Sequence, residues 1–284
     1  MLTANDFFAL PPDRISAEVE TRFFGALKTG NATFKQTGAG RLAAVDAALV
    51  AALARSGARV DTVLDLGISS GVTTLEMIDA LRLAGHAART TGTDRLVGAA
   101  LVDLPMQCRA LVEPGGHVLQ YEVLGRGLRP WRRRLDYVTG MAAVRGLVGL
   151  MLGRQAAARL RSGDGARQVA LVSPRLARAT GVTLVEDDVT TANPAFANGF
   201  DLIRAANILN RHYFAPDALA RAIANVRSYL KGPGSWWLVV RTHGASDHRG
   251  TLFRLDDAGQ LAVVERIGSG SEVEDLILAT NRGS

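Results

Sequence analysis

Asp61-Thr62-Val63-Leu64-Asp65-Leu66-Gly67-Ile68-Ser69-Ser70-Gly71 is the stretch that decides the fold class of this chain. Val63, Leu64 and Leu66 form an apolar run suited to a strand buried on both faces. The run carries Asp65 near its end and empties into a glycine-serine turn. Val72, Leu75, Ile78 and Leu81 then recur at helical spacing. Strand, turn and helix in that order make the first half of a βαβ unit. Gly67 and Gly71 let the backbone approach a ligand closely, and the start of the helix offers unpaired N–H groups. The turn therefore reads as a nucleotide-handling loop.

Three chemistries fit such a turn. Gly67-x-Ser69-x-Gly71 has the spacing of a hydrolase nucleophile elbow, with Ser69 as nucleophile. That fold brings several strands and an oxyanion segment before its elbow, whereas the roughly sixty residues preceding this one look helical and contain no His. A nicotinamide fingerprint wants G-x-G-x-x-G, and the second and third glycine positions here are Ser69 and Val72. The third reading is an acidic residue followed by a small-residue turn that holds a nucleoside cofactor.

Further strand ends bear on the choice. Arg89-Thr90-Thr91-Gly92-Thr93-Asp94 is a short strand-like segment ending on an acid, where a carboxylate can accept from both hydroxyls of a ribose. Val182 to Val189 is another apolar segment ending in acids, with Asp188-Val189 at its tip. Phe200 to Leu209 is a further strand with Asn207 just beyond it. A helix from about Pro216 to Leu230 follows, then the stop signal Lys231-Gly232-Pro233-Gly234 and an apolar strand from Ser235 to Thr242.

Together these segments resemble the class I S-adenosylmethionine-dependent methyltransferases over roughly residues 60 to 94 and 182 to 242. The resemblance implies an α/β fold: a Rossmann-like, seven-stranded, mostly parallel sheet with helices on both faces and antiparallel strands at its C-terminal end. Segments 251–255, 261–267 and 272–278 are the candidates for that end. The resemblance also implies S-adenosyl-L-methionine as cofactor, met by Asp65, Gly67, Ile68, Ser69, Gly71, Asp94, Arg95, Asp188, Val189 and Asn207. In it Asp94 takes the ribose hydroxyls and Asp188-Val189 the adenine amino group. Ser69 stands where many members carry glycine. The stretch Ala206 to Phe214 is similar to a motif of the chemotaxis-receptor methyltransferases, departing from it at Ala206, where arginine is usual, and at His212.

Methyl transfer asks little of side chains, because a sulfonium is already an activated donor; alignment of the acceptor and exclusion of water suffice. A base is needed only when the acceptor carries a proton. His212 and Tyr213, following the fourth strand, are the candidates for that role, and a surface position at a helix start is the plainer reading of His212. A non-catalytic, cofactor-binding regulatory module of the same fold is the alternative from another class.

Length and composition agree with one large enzyme domain carrying additions. With 284 residues and 48% hydrophobic content the chain can bury a substantial core. The expected division is an N-terminal helical cap or lid over residues 1–58 and a methyltransferase domain over 59–284, with an insertion at about 100–178. Helices are expected at 14–28 and 39–56, the second with the stripe Leu42, Val45, Leu49 and Leu53 packing on the sheet. The glycine-rich stretch from Lys28 to Arg41 between them is a lid by the same resemblance, or a plain connecting loop. The single Cys108 excludes an internal disulfide, and the five histidines show no metal-ligand spacing, so no metal is expected. No signal peptide or spanning segment is evident, and a cytoplasmic location is expected.

The charge is local. Residues 121–167 hold ten arginines against Glu122, Asp136 and Asp164, while the whole chain carries a formal +6, so the remainder sums to about −1. The insertion also holds Val138 to Leu152, in which Met141, Val144, Val148, Met151 and Leu152 share a helical face. A basic, amphipathic element can coat a solvated cap, grip an anionic acceptor or lie on an anionic membrane. Tyr121, Trp131 and Tyr137 are too few to interleave with the cations for base stacking, which weighs against nucleic acid. The expected partner is a small-molecule or lipid-like acceptor, lipophilic or anionic, with peripheral contact to an anionic membrane.

Overall fold

The computed structural model describes all residues except Gln36, Thr37, Ala245 and Ser284. In chain order the N-terminal elements are α1 (Ala4–Ala9), α2 (Ala17–Phe24), α3 (Ala43–Ser56), β1 (Thr62–Leu66), α4 (Val72–Leu83) and β2 (Arg89–Asp94). Next come β3 (Gly98–Leu104), β4 (Cys108–Val112), β5 (Val118–Val123), β6 (Arg126–Leu128), α5 (Arg134–Val138), α6 (Met141–Ser162), β7 (Ala166–Ala170) and α7 (Pro174–Ala177). The chain closes with β8 (Val182–Glu186), β9 (Leu202–Ala206), α8 (Pro216–Ser228), β10 (Trp236–His243), β11 (Asp247–Leu255), β12 (Leu261–Ile267) and α9 (Glu274–Ala279).

These elements form two compact units, one of residues 1–39 with 96–177 and one of residues 40–95 with 178–284. The second unit holds the seven-stranded sheet, in the order β12-β11-β10-β9-β1-β2-β8. β8, β2, β1, β9 and β10 run parallel, and β11 is antiparallel to both of its neighbours. This is the mostly parallel sheet, with antiparallel pairing at its C-terminal end, that the sequence leads one to expect. Alternate side chains on each strand go to opposite faces. Val63, Leu202, Trp236 and Leu238 pack with Leu42, Val45, Leu49 and Leu53 of the α3 segment and with Met77 and Leu81 of α4. Leu64, Ile203, Trp237 and Val239 pack with Leu219, Ile223 and Val226 of α8 and Ile277 of α9. Both faces are thus covered, which is why the strands read as continuous apolar runs.

Two expectations need correction. Residues 272–278 are not a strand: α9 begins at Glu274, with Val273 and Ile277 buried four residues apart, a spacing that puts both on one helical side. The boundaries of the units also differ from those expected. α3 belongs with the seven-stranded sheet, since its apolar stripe is part of that core, whereas residues 1–39 belong with 96–177. In the stretch from Lys28 to Arg41, Gln36 and Thr37 lie outside the described residues.

The unit of 1–39 and 96–177 is more than a helical insertion. It holds a five-stranded antiparallel sheet in the order β6-β5-β4-β3-β7. Leu101, Leu111 and Leu119 meet the stacked rings of Phe7 and Phe23 and the ring of Phe24 on one face. Val102, Ala110 and Tyr121 meet Leu152 and Ala156 of α6 on the other. Because both faces are covered, Gly98–Leu104 shows no polar alternation, and the sequence signal of a half-exposed strand is missing.

Candidate functional site

The register of the parallel strands brings the ends of β1, β2, β8 and β9 to one edge, beside Val240 of β10. Leu66 pairs with Thr93 and with Ala205, Asp94 with Glu186, and Val240 with Ala206. In open α/β sheets such carboxyl ends are where ligands bind.

The turn after β1 is tightly specified. The N–H groups of Gly67 and Ile68 both donate to the Thr93 carbonyl, at 2.8 and 3.0 Å, and the Gly71 N–H donates to the Ile68 carbonyl. Gly67, Ser69 and Gly71 have φ of 70°, 55° and 75°, in the left-handed region. A Cβ on Gly67 would stand 3.0 Å from Ile208 Cδ1, so the close approach of the segment after β9 also requires glycine there. Ile68 packs against Gly92, where an added Cβ would lie 3.1 Å from its Cδ1. Gly71 starts α4 without a side-chain cap, leaving the helix N-terminal donors to other partners.

Asp94 closes this turn from β2: its Oδ2 accepts from the Ser69 N–H at 2.7 Å. Next to it, Arg95 Nε lies 3.5 Å from Asp188 Oδ2. Asp188 Oδ1 accepts from the N–H and hydroxyl of Thr190, at 3.0 and 2.7 Å. Burial pushes the Asp188 carboxyl up, but the Thr190 bonds and Arg95 together hold it below the usual carboxylate range. Val189 is 4% exposed and its side chain is part of the α8-side core, so only its backbone is at the strand end. Asn207 has φ of 62°; its N–H donates to the Val240 carbonyl and its Oδ1 accepts from the Thr242 N–H at 2.7 Å. The amide is therefore fixed, with Nδ2 buried and without an acceptor.

Asp65 does not reach the edge as a free carboxylate. It faces the α3 side, where Arg204, its direct register partner on β9, donates to both of its oxygens. Arg204 also donates to Asp46 Oδ1 of α3 at 3.0 Å, and all three residues are at most 3% exposed. Burial raises the Asp46 carboxyl to about 6 against the pull of Arg204, with Asp65 adding to the rise. The sequence reading missed Asp46 and Arg204, although a charge inside an apolar stripe and another inside an apolar strand were the signals. It also missed Arg41 and Glu76. Glu76 Oε1 accepts from the Gly40 N–H at 2.7 Å, while Glu76 Oε2 and Arg41 Nε are buried without partners. Burial, and then the charge of Arg204, hold the Arg41 guanidinium below its usual range. Ser70 Oγ and Thr74 Oγ1, in the turn and the first turn of α4, are likewise buried and unpartnered.

His212 and Tyr213 lie beyond Asn210, whose Oδ1 accepts both of their N–H groups, at 3.2 and 2.9 Å. Both are exposed, Tyr213 stacks edge-on to Phe214, and Glu272 is close enough for His212 to act on its charge. A hollow of about 440 Å³ lies at the opposite, amino edge of the same sheet, lined by Arg59, Asp201, Lys231 and Arg254 among others. Its charges serve the fold: Lys231 pairs with Asp201 at 3.1 Å, and Asp201 accepts from the N–H groups of Asp61 and Thr62. Among the described residues no cluster of His, Cys, Asp or Glu has the arrangement to hold a metal ion.

No protein-family profile and no curated protein matches the sequence. Among solved structures the chain is similar to the CMeT domain of the citrinin polyketide synthase, at 15% identity and a TM-score of 0.32, over 65% of this chain and 30% of that one. It thus spans less than a third of the length of that protein. It is similar to the N-methyltransferase NodS from Bradyrhizobium japonicum WM9 in complex with S-adenosyl-L-homocysteine, at 14% identity and a TM-score of 0.35, over 78% and 72% of the two chains. It is also similar to the PH0226 protein from Pyrococcus horikoshii OT3, at 11% identity and a TM-score of 0.37, over 84% and 79%.

Proposed function

We propose that the chain binds S-adenosyl-L-methionine at the carboxyl edge of the seven-stranded sheet and transfers its methyl group to a small lipophilic or anionic acceptor. The observation that carries this reading is the set of buried polar atoms left without partners around one turn: Arg41 Nε, Ser70 Oγ, Thr74 Oγ1, Glu76 Oε2 and Asn207 Nδ2. Buried polar groups are nearly always hydrogen-bonded, so a cluster of exceptions calls for a ligand with many polar atoms. Their chemistry fits a zwitterionic nucleoside. Arg41 suits an α-carboxylate and Glu76 an ammonium group, Asp94 the ribose hydroxyls, and Asp188 with the backbone of Val189 the adenine amino group.

The cofactor supplies an activated methyl group on a sulfonium when bound. The residues of this chain bind and orient it, and shield it from water. Where the acceptor carries a proton, His212 is the base we assign, with Tyr213 beside it. Calorimetry with S-adenosylhomocysteine tests the reading. Micromolar binding that weakens on Arg41→Met or Asn207→Ala is expected, and the absence of any heat at millimolar ligand would overturn it. Transfer of label from the methyl-tritiated cofactor to a cell-extract component separates the enzyme from a cofactor-binding module.

A further inference from the structure

The unit of residues 1–39 and 96–177 carries an exposed apolar surface flanked by cations. α6 turns Ala142, Arg145, Leu152 and Ala156 inward. Its other side presents Val144, Leu147, Leu150 and Met151, which are 46%, 58%, 70% and 50% exposed. Spacings of three and four residues line these up along the helix axis. In α5 Leu135, Tyr137 and Val138 are exposed by 68%, 66% and 85%. Large apolar side chains clustered in water at this density mark an interaction surface, and scattered single ones do not.

The charges around this surface have one sign. Arg132, Arg133 and Arg134 stand exposed at its start, and Arg154 and Arg161 continue the outer side of α6. The only acid between Glu122 and Asp164 is Asp136. Asp136 is 5% exposed and is closed in by its own arginines: Arg129 Nη2 donates to both oxygens at 2.8 Å, Arg145 Nη2 to Oδ1 at 3.3 Å, and the Arg133 N–H to Oδ2 at 2.7 Å. The Arg129 bonds, then the Arg133 N–H, hold its carboxyl far below the usual range, so it stays a buried counter-ion. From residue 126 to residue 161 every exposed formal charge is therefore positive.

We propose that the α5–α6 face docks on the surface of an anionic lipid bilayer, with the apolar stripe entering the headgroup boundary and the flanking arginines pairing with lipid phosphates. A straight apolar stripe with cations at both ends matches a plane that is apolar below and anionic above. Among the described residues no helix is long and apolar enough to cross a membrane, so the element lies on the surface. The proposal does not depend on the cofactor reading.

Vesicle flotation with the full chain tests it. Binding is expected to phosphatidylcholine vesicles containing about one third phosphatidylglycerol, to fall with added salt, and to be absent on pure phosphatidylcholine. Each of Arg132→Gln and Arg134→Gln should weaken partitioning about fivefold. Leu147→Gln with Leu150→Gln should weaken it about tenfold or more while far-UV circular dichroism and S-adenosylhomocysteine affinity stay unchanged, since both side chains face water. Failure to float with the anionic vesicles at low salt overturns the proposal. So does binding that survives the double leucine replacement and is matched by heparin or a short RNA, which would make the face a polyanion site.

Discussion

Arg204 of β9 and Asp65 of β1 are side-by-side register partners in the middle of the seven-stranded sheet, joined by two hydrogen bonds of 2.9 and 2.7 Å. The fork of the guanidinium matches the carboxylate, and Asp46 takes a third donor. Removing the cation leaves two carboxylates in a dry core. Arg204→Leu is expected to cost about 3 to 5 kcal/mol in urea unfolding, because an unpaired buried charge is worse than no charge. A midpoint within error of the parent would show that the pair contributes nothing.

Asp46 gives the same network a pH dependence. Its carboxyl is raised to about 6 in the fold and has an ordinary value near 3.8 when unfolded. The folded state therefore binds the extra proton between about pH 4 and 6, and the stability linked to it is present at low pH and lost as pH rises through 6. The full swing corresponds to about 3 kcal/mol. Asp46→Asn should flatten this slope and leave the protein at least as stable at pH 7.5. Thermal melts across the range measure it, and an unaltered pH profile would remove Asp46 as its source.

Asp94 holds the Ser69 N–H, and under the proposed function it would also meet a ribose. Asp94→Ala is expected to weaken S-adenosylhomocysteine binding by about 1.5 to 3 kcal/mol through its charge-assisted bonds. Asp94→Asn keeps an acceptor for Ser69 and should lose only the part of that energy that depends on charge. Calorimetry on both variants separates the tasks, and equal affinity in all three proteins would take Asp94 out of the site.

Gly67→Ala tests the turn itself. The left-handed backbone costs a side chain about 1 to 2 kcal/mol, and the new methyl would also press on Ile208. Ile208→Ala in the same chain relieves the contact and leaves the backbone cost. Partial recovery of stability in the double variant is the expected result, read from unfolding midpoints, and full recovery would mean that φ at Gly67 carries no strain.

The sequence was most legible where strands are short, apolar and end on an acid or amide at one edge. Asp94, Asp188 and Asn207 stand at or just past such ends, and the parallel order follows from them. Asp65 shows where that logic fails. An acid at a strand end reads as a ligand contact, but side-chain alternation turned it to the helical face, where only the partner strand reveals Arg204. Arg41 and Glu76 were equally opaque, since one comes from the turn before α3 and the other from α4, two segments that the chain alone does not align. The five strands between Gly98 and Ala170 escaped notice because helices cover both faces and remove the polar alternation. Segment 272–278 failed for the opposite reason, since a run so short fits either period.

The strands that flank the inserted unit have a consequence for how the chain finds its fold. Pairing β2 with β8 closes a loop of about 90 residues, a contact whose entropy cost grows with loop length. Within the insert, however, Gly98 of β3 is the register partner of Ala170 of β7, and the Leu171 N–H donates to the Val97 carbonyl. Once that small sheet forms, its two ends are already neighbours, and the long loop behaves as a short one. The β3–β7 pairing thus shortens the effective loop that joins β2 to β8.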